Sequence, residues 1–67
     1  MEVGIIASKA DFELYVDKTG EYRWRLRHHN TNIIADSGDG HTTKVNAING
    51  IDSVKENAPD APIKDLT

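Results

Sequence analysis

Three groups of residues in this 67-residue chain have types and spacing that could do chemistry. Ser37, Asp39 and His41 supply a nucleophile, a carboxylate and a base for hydrolysis within one short loop. His28, His29 and His41 stand near Asp36 and Asp39, and imidazoles with carboxylates form a zinc-type ligand set. Arg23, Arg25 and Arg27 recur at every second position, with Tyr15 close by in the pattern. A sheet carrying arginines and an aromatic ring can hold phosphates and stack bases, as several RNA-binding modules do.

Each group has a plainer reading. The hydrolytic set sits on one loop with no cleft to dry it, and so small a domain has little room for a pocket. Adjacent histidines in a strand point to opposite faces, so His28 and His29 read as solvated side chains rather than joint ligands. The run from Asp36 to Gly40 superficially resembles a calcium loop. Its twelfth position, however, is Ala47, where a bidentate Glu would be needed. The arginines are opposed by Asp11 and Glu13, which predicts a charge-paired face. The chain therefore reads as non-enzymatic, with no metal and no cofactor. Nucleic-acid binding through Arg23, Arg25 and Arg27 is the second reading.

The elements that would position these residues are legible from periodicity. From Asp11 to Arg27, apolar and polar residues alternate on both sides of Asp17-Lys18-Thr19-Gly20. That is a β-hairpin whose turn ends in a left-handed glycine bulge. Counting outward pairs Val16 with Tyr22, Leu14 with Trp24 and Phe12 with Leu26 on one face. Tyr15 pairs with Arg23, Glu13 with Arg25 and Asp11 with Arg27 on the other. A third strand is predicted at residues 33–37. A two-residue turn at Asn30-Thr31 would set Leu26 opposite Ala35 and His28 opposite Ile33. Ile34 would then join Tyr15 as an apolar spot on the charged face. Thr42 or Thr43 suits an N-cap. Beyond it the period becomes helical through residue 57, with Ala47, Ile48, Ile51, Val54 and Ala58 on one stripe. Trp24 should lie under Ile48 or Ile51. Gly50 interrupts the helix at about 1 kcal/mol against Ala, a cost most easily offset by another backbone approaching there. Pro59 and Pro62 end the helix.

The predicted fold is α+β: a three-stranded antiparallel β-meander packed by one C-terminal α-helix. Residues 11–67 form a single domain. Residues 1–10 form an extension, either a loose tail or an edge strand through residues 3–7; the tail is the expectation. Such a domain buries only about 60% of its unfolded surface and has no cysteine to staple it. Homodimerisation is the natural remedy, with Tyr15, Ile34 and Gly50 as candidate interface residues. The net charge of −3 argues against a dedicated nucleic-acid binder. The apolar run near residue 1 is too short for a membrane span or signal peptide. A cytoplasmic protein is expected.

Taken in order, several of these segments resemble the YegP-like family, domain of unknown function 1508 or uncharacterised protein family 0339. The segments are Phe12 to Tyr15, Asp17 to Leu26, Ile33 to Ala35, Ser37-Gly38, Gly40, Lys44, Asn49 to Lys55 and Asn57 to Pro62. The resemblance runs from about Asp11 to Thr67, and the Ile33 to Gly38 stretch is in the style of haloarchaeal members. It implies an antiparallel sheet with a covering helix, found alone or as a tandem pair, and hence a dimer for a lone copy. It implies no activity and no partner beyond a second copy. Two departures stand out: His41 replaces the usual aromatic before the helix, and Asn30-Thr31-Asn32 replaces the usual Asn-Gly turn.

Overall fold

The computed structural model describes residues 9–67. The alternating stretch forms β1 (Ala10–Val16) and β2 (Tyr22–His28), antiparallel, in the register counted from the sequence. Every pair from Asp11–Arg27 to Val16–Tyr22 is present. The turn works as its residues suggest. Gly20 takes φ +86°, its N–H donates to Asp17 O, and Asp17 N–H donates to Glu21 O at 2.9 Å. The Asp17 carboxylate also accepts from the Thr19 and Glu21 N–H groups, which closes the loop internally. At the other end Ala10 pairs with His28, and the Lys9 carbonyl accepts from His29 N–H. The extension expected over residues 1–10 otherwise lies outside the described residues.

The second hairpin differs from expectation. β3 (Ile33–Asp36) joins β2 in the order β1-β2-β3, but its turn spans three residues rather than two. His28 N–H donates to Asn32 O and Thr31 N–H to His28 O, the same pair of bonds that closes the first hairpin. Thr31 therefore stands where Gly20 stands, and its φ is +84°. The register follows from this turn: Arg27, not His28, faces Ile33. A bulge then returns Leu26 opposite Ala35, with Ile34 as the extra residue.

A β-branched residue in the left-handed region is strained by about 1–3 kcal/mol. Gly relieves that strain but raises the unfolded chain's entropy, at about 0.4–1 kcal/mol. Thr31→Gly should thus stabilise the fold by about 1 kcal/mol. For a domain this size that raises Tm by roughly 4–8 °C at fixed protein concentration. Thermal melts monitored by circular dichroism check this, and a lowered Tm would contradict the turn assignment.

Helix α1 (Lys44–Asn57) begins at Thr43, whose hydroxyl accepts the Asn46 N–H at 3.1 Å. A 3-10 turn (Ala58–Asp60) follows, and residues 61–67 continue without regular structure. Among the described residues only Trp24 and Ala47 are buried, at 6% and 0% exposure. The helix rests mainly on β2. Ala47, Gly50, Ile51 and Val54 face the sheet, whereas Ile48 and Ala58, expected in the stripe, are exposed. The neighbour that accounts for Gly50 is a side chain, not a backbone. A Cβ there would lie 3.1 Å from Trp24 Nε1. Gly50, with no side chain, admits the indole beneath the helix.

Candidate interaction surface

On the face away from the helix, the three arginines meet carboxylates. Arg23 Nε bonds Asp17 Oδ2 at 2.5 Å, while Arg25 and Arg27 converge on Glu13 Oε1 at 2.6 and 2.9 Å. Arg25 matches its cross-strand partner. Arg27 passes over its opposite residue Asp11 and reaches diagonally to Glu13, a distance long side chains span. Asp11 instead meets His29 Nε2 at 3.2 Å. Arg23 and Arg27 also donate to the Gly38 and Thr31 carbonyls, tying the sheet to both flanking loops. The Arg25 guanidinium lies 4.7 Å from the Tyr15 ring centre, over its face.

These bonds set the acid response. Hydrogen bonds from Arg25 and Arg27 hold the Glu13 carboxyl below its ordinary 4.5. The Thr19 hydroxyl first, then Arg23 and the Glu21 N–H, hold Asp17 well below its ordinary 3.8. Both groups are depressed in the folded state, so their stabilisation is present above the unfolded values and is lost as pH falls through and below that range. Tm should therefore decline on acidification from about pH 5 downward. An Asp17→Asn, Glu13→Gln variant should show a flatter Tm–pH curve. Equal slopes for variant and parent would remove these carboxylates from the explanation.

The other candidate groups are not assembled for chemistry. Ser37 Oγ donates to the Asp39 carbonyl rather than to an imidazole. His41 is held by its backbone, which exchanges bonds with Tyr22 at 2.7 and 2.8 Å. Its Nε2 lies on the Gly50 side of the indole, a packing contact for which the helix-preceding position was the available signal. Gly38, at φ +74°, turns the loop while Asp36 accepts its N–H, so the glycine and carboxylate serve the turn. Among the described residues no three His, Asp or Glu side chains gather as metal ligands.

The apolar spot proposed for Tyr15 and Ile34 does not form. The strand order puts β2 between them, and the register offsets them by three to four residues, so they stand about 15 Å apart. Arg25 covers the Tyr15 ring, and Ile33 rather than Ile34 shares the level of Arg27. Gly50 is occupied from within the chain by Trp24.

What sequence reasoning missed is a seam between β1 and the helix. Phe12, Leu14 and Val16 line the core face of β1, and β1 packs little against α1. Lys55 Nζ lies 5.9 Å from the Phe12 ring centre, and Lys44 lines a hollow of about 250 Å³ with Leu14, Val16 and Tyr22. Lys44 and Lys55 are about three helical turns apart, so Ile48 and Ile51 between them fall on the β1 side. Val16 is 55% exposed and Ile48 38%. At the far end a groove of about 470 Å³ is lined by Ala10, Asp11, Phe12, Leu26 and Lys55.

Comparison with known proteins gives a consistent picture. Residues 17–65 match the family described as Domain of unknown function (DUF1508). A UPF0339 protein of Methanosarcina acetivorans is 54% identical over 52 residues, covering 78% of this chain and 88% of that one. One from Mesorhizobium japonicum is 48% identical over 54 residues, covering 81% and 90%. A third, the UPF0339 protein in the ptx operon 5' region of Stutzerimonas stutzeri, is 49% identical over 73% of this chain. The match fills 43% of that relative. The solution structure of a Haloferax volcanii protein superposes with a TM-score of 0.83 at 53% identity, covering 90% of this chain and all of that one. None of these relatives carries an enzymatic name.

Proposed function

This chain belongs to the DUF1508 family, and from that premise we propose that it is a small non-enzymatic interaction module acting as a homodimer. One observation carries the reading: the described chain buries two residues while Val16, Ile33, Ile34, Val45 and Ile48 stay at least 38% exposed. A core that small leaves little margin over the entropy of ordering the chain, and a second copy over the β1–α1 seam would add a further layer. A cytoplasmic location is part of this reading, and the cysteine-free sequence fits it, since the fold needs no disulfide. No helix among the described residues is long and apolar enough to cross a membrane.

Phosphate binding by this face would call for free arginines, and the bonding of Arg23, Arg25 and Arg27 to carboxylates weighs for the interaction module over nucleic-acid binding. Sedimentation of two variants tests the reading. Ile48→Asp should convert the dimer to a folded or partly folded monomer, because it places a charge in the seam. Ile34→Asp should leave the dimer intact. The reverse pattern would move the interface to β3. A monomeric parent would remove the dimer altogether.

A further inference from the structure

At Asp36-Ser37, Asp39-Gly40 and Asn49-Gly50, a small following residue lets its backbone nitrogen reach back to the side chain before it. The fold treats these three nitrogens differently. Ser37 N–H donates to Trp24 O at 2.9 Å, which ties it to the sheet. Gly50 lies inside α1, where its N–H belongs to the helical ladder. Gly40 N–H has no hydrogen-bond partner among the described residues. Asp39 is exposed, and its carboxylate is also unpartnered among them.

Two neighbours activate the Asp39–Gly40 peptide. Ser37 Oγ donates to Asp39 O at 3.0 Å, and a hydrogen bond on that oxygen stabilises the amide as its proton leaves. The Glu21 side chain lies so close to Gly40 that a Cβ there would overlap Glu21 Oε1, which puts a carboxylate base beside that proton.

We propose that Asp39 is a site of spontaneous backbone isomerisation. Gly40 N attacks Cγ of the protonated Asp39 carboxyl, its C–OH bond breaks, and loss of one water leaves a five-membered succinimide. Water then adds to the ring carbonyl that came from the main chain, and the C–N bond there breaks. The chain now runs through the Asp39 side chain as isoaspartate, with unchanged composition and no oxidant or reductant. The main chain gains one carbon where it has least room. Gly40 touches Glu21, and His41 exchanges backbone bonds with Tyr22 at 2.7 and 2.8 Å. Isomerisation therefore loosens the strut that leads into α1. The reaction needs one chain only and is independent of the homodimer.

The folded chain is held for weeks in warm neutral buffer, and tryptic peptides 28–44 and 45–55 are read by mass spectrometry with electron-transfer fragmentation. Isoaspartate is expected at Asp39 while Asp36 and Asn49 stay intact. In guanidinium chloride the order should turn in favour of Asn49, because a neutral carboxamide needs no protonation before attack. Ser37→Ala, with an unchanged circular dichroism spectrum, should slow the reaction at Asp39 about fivefold, the factor one net hydrogen bond contributes. The isomerised chain, separated by reversed-phase chromatography and refolded, should melt at least about 4 °C below the parent. Deamidation at Asn49 ahead of Asp39 in the folded chain would overturn the proposal, and so would a reaction no faster at Asp39 than at Asp36. An unchanged rate in the Ser37→Ala chain would overturn the activation by its hydroxyl.

Discussion

Trp24→Ala will unfold this domain at room temperature, or leave it only marginally folded. The indole is one of two buried side chains, stands cross-strand from Leu14 and meets the Phe12 ring edge-on at 5.5 Å between centroids. It is also the surface on which the helix lies, since Gly50 closes over its Nε1 edge. Removing a large buried aromatic costs about 3–5 kcal/mol. A domain of this length has roughly 3–10 kcal/mol in total. Trp24→Phe should be milder. The Nε1 atom is buried with no hydrogen-bond partner among the described residues, so that substitution removes an unpaired polar atom along with ring area. Urea titrations of the three proteins give the order parent, Phe, Ala. A Trp24→Ala chain with the parent's midpoint would refute the register and the helix placement together.

Gly50→Val should be the second most damaging single change, by about 1–3 kcal/mol. The Cβ alone would lie 3.1 Å from Trp24 Nε1, tighter than ordinary contact, and each γ-methyl would have to displace the ring or lift the helix. Gly50→Ala separates the two effects present at this site. Ala gains about 1 kcal/mol of helix propensity and loses a comparable amount to the tight contact, so it should be near neutral. Chemical denaturation of both variants measures this. A Gly50→Val chain as stable as Gly50→Ala would mean that the helix does not rest on the indole at this turn.

Periodicity and one glycine make the first hairpin fully legible in the sequence. Phe12, Leu14, Val16 and their partners alternate without interruption, and Gly20 marks the left-handed position. The second hairpin has the same turn, yet its left-handed residue is Thr31, a type that gives no such signal. Adjacent isoleucines at 33 and 34 likewise hide which of them is the bulged residue. The helix limits follow from Thr43 and from the prolines after Asn57, whereas the buried face does not. Period alone points Ile48 toward the sheet; Gly50, with no side chain, lets the helix settle onto Trp24, and Ile48 stays 38% exposed. Of the candidate surfaces, the charge pairing was readable strand by strand. Arg27's diagonal reach to Glu13 was not, because it depends on side-chain length and on Asp11 turning to His29.

Completion of this thin fold by a second copy is tested most directly by sedimentation equilibrium of the unmodified chain across the micromolar range, paired with melting temperatures at the same concentrations. A homodimer gives a mass twice the 7.4 kDa of one chain, with Tm rising as concentration rises. A 7.4 kDa species throughout, with a Tm independent of concentration, would contradict it.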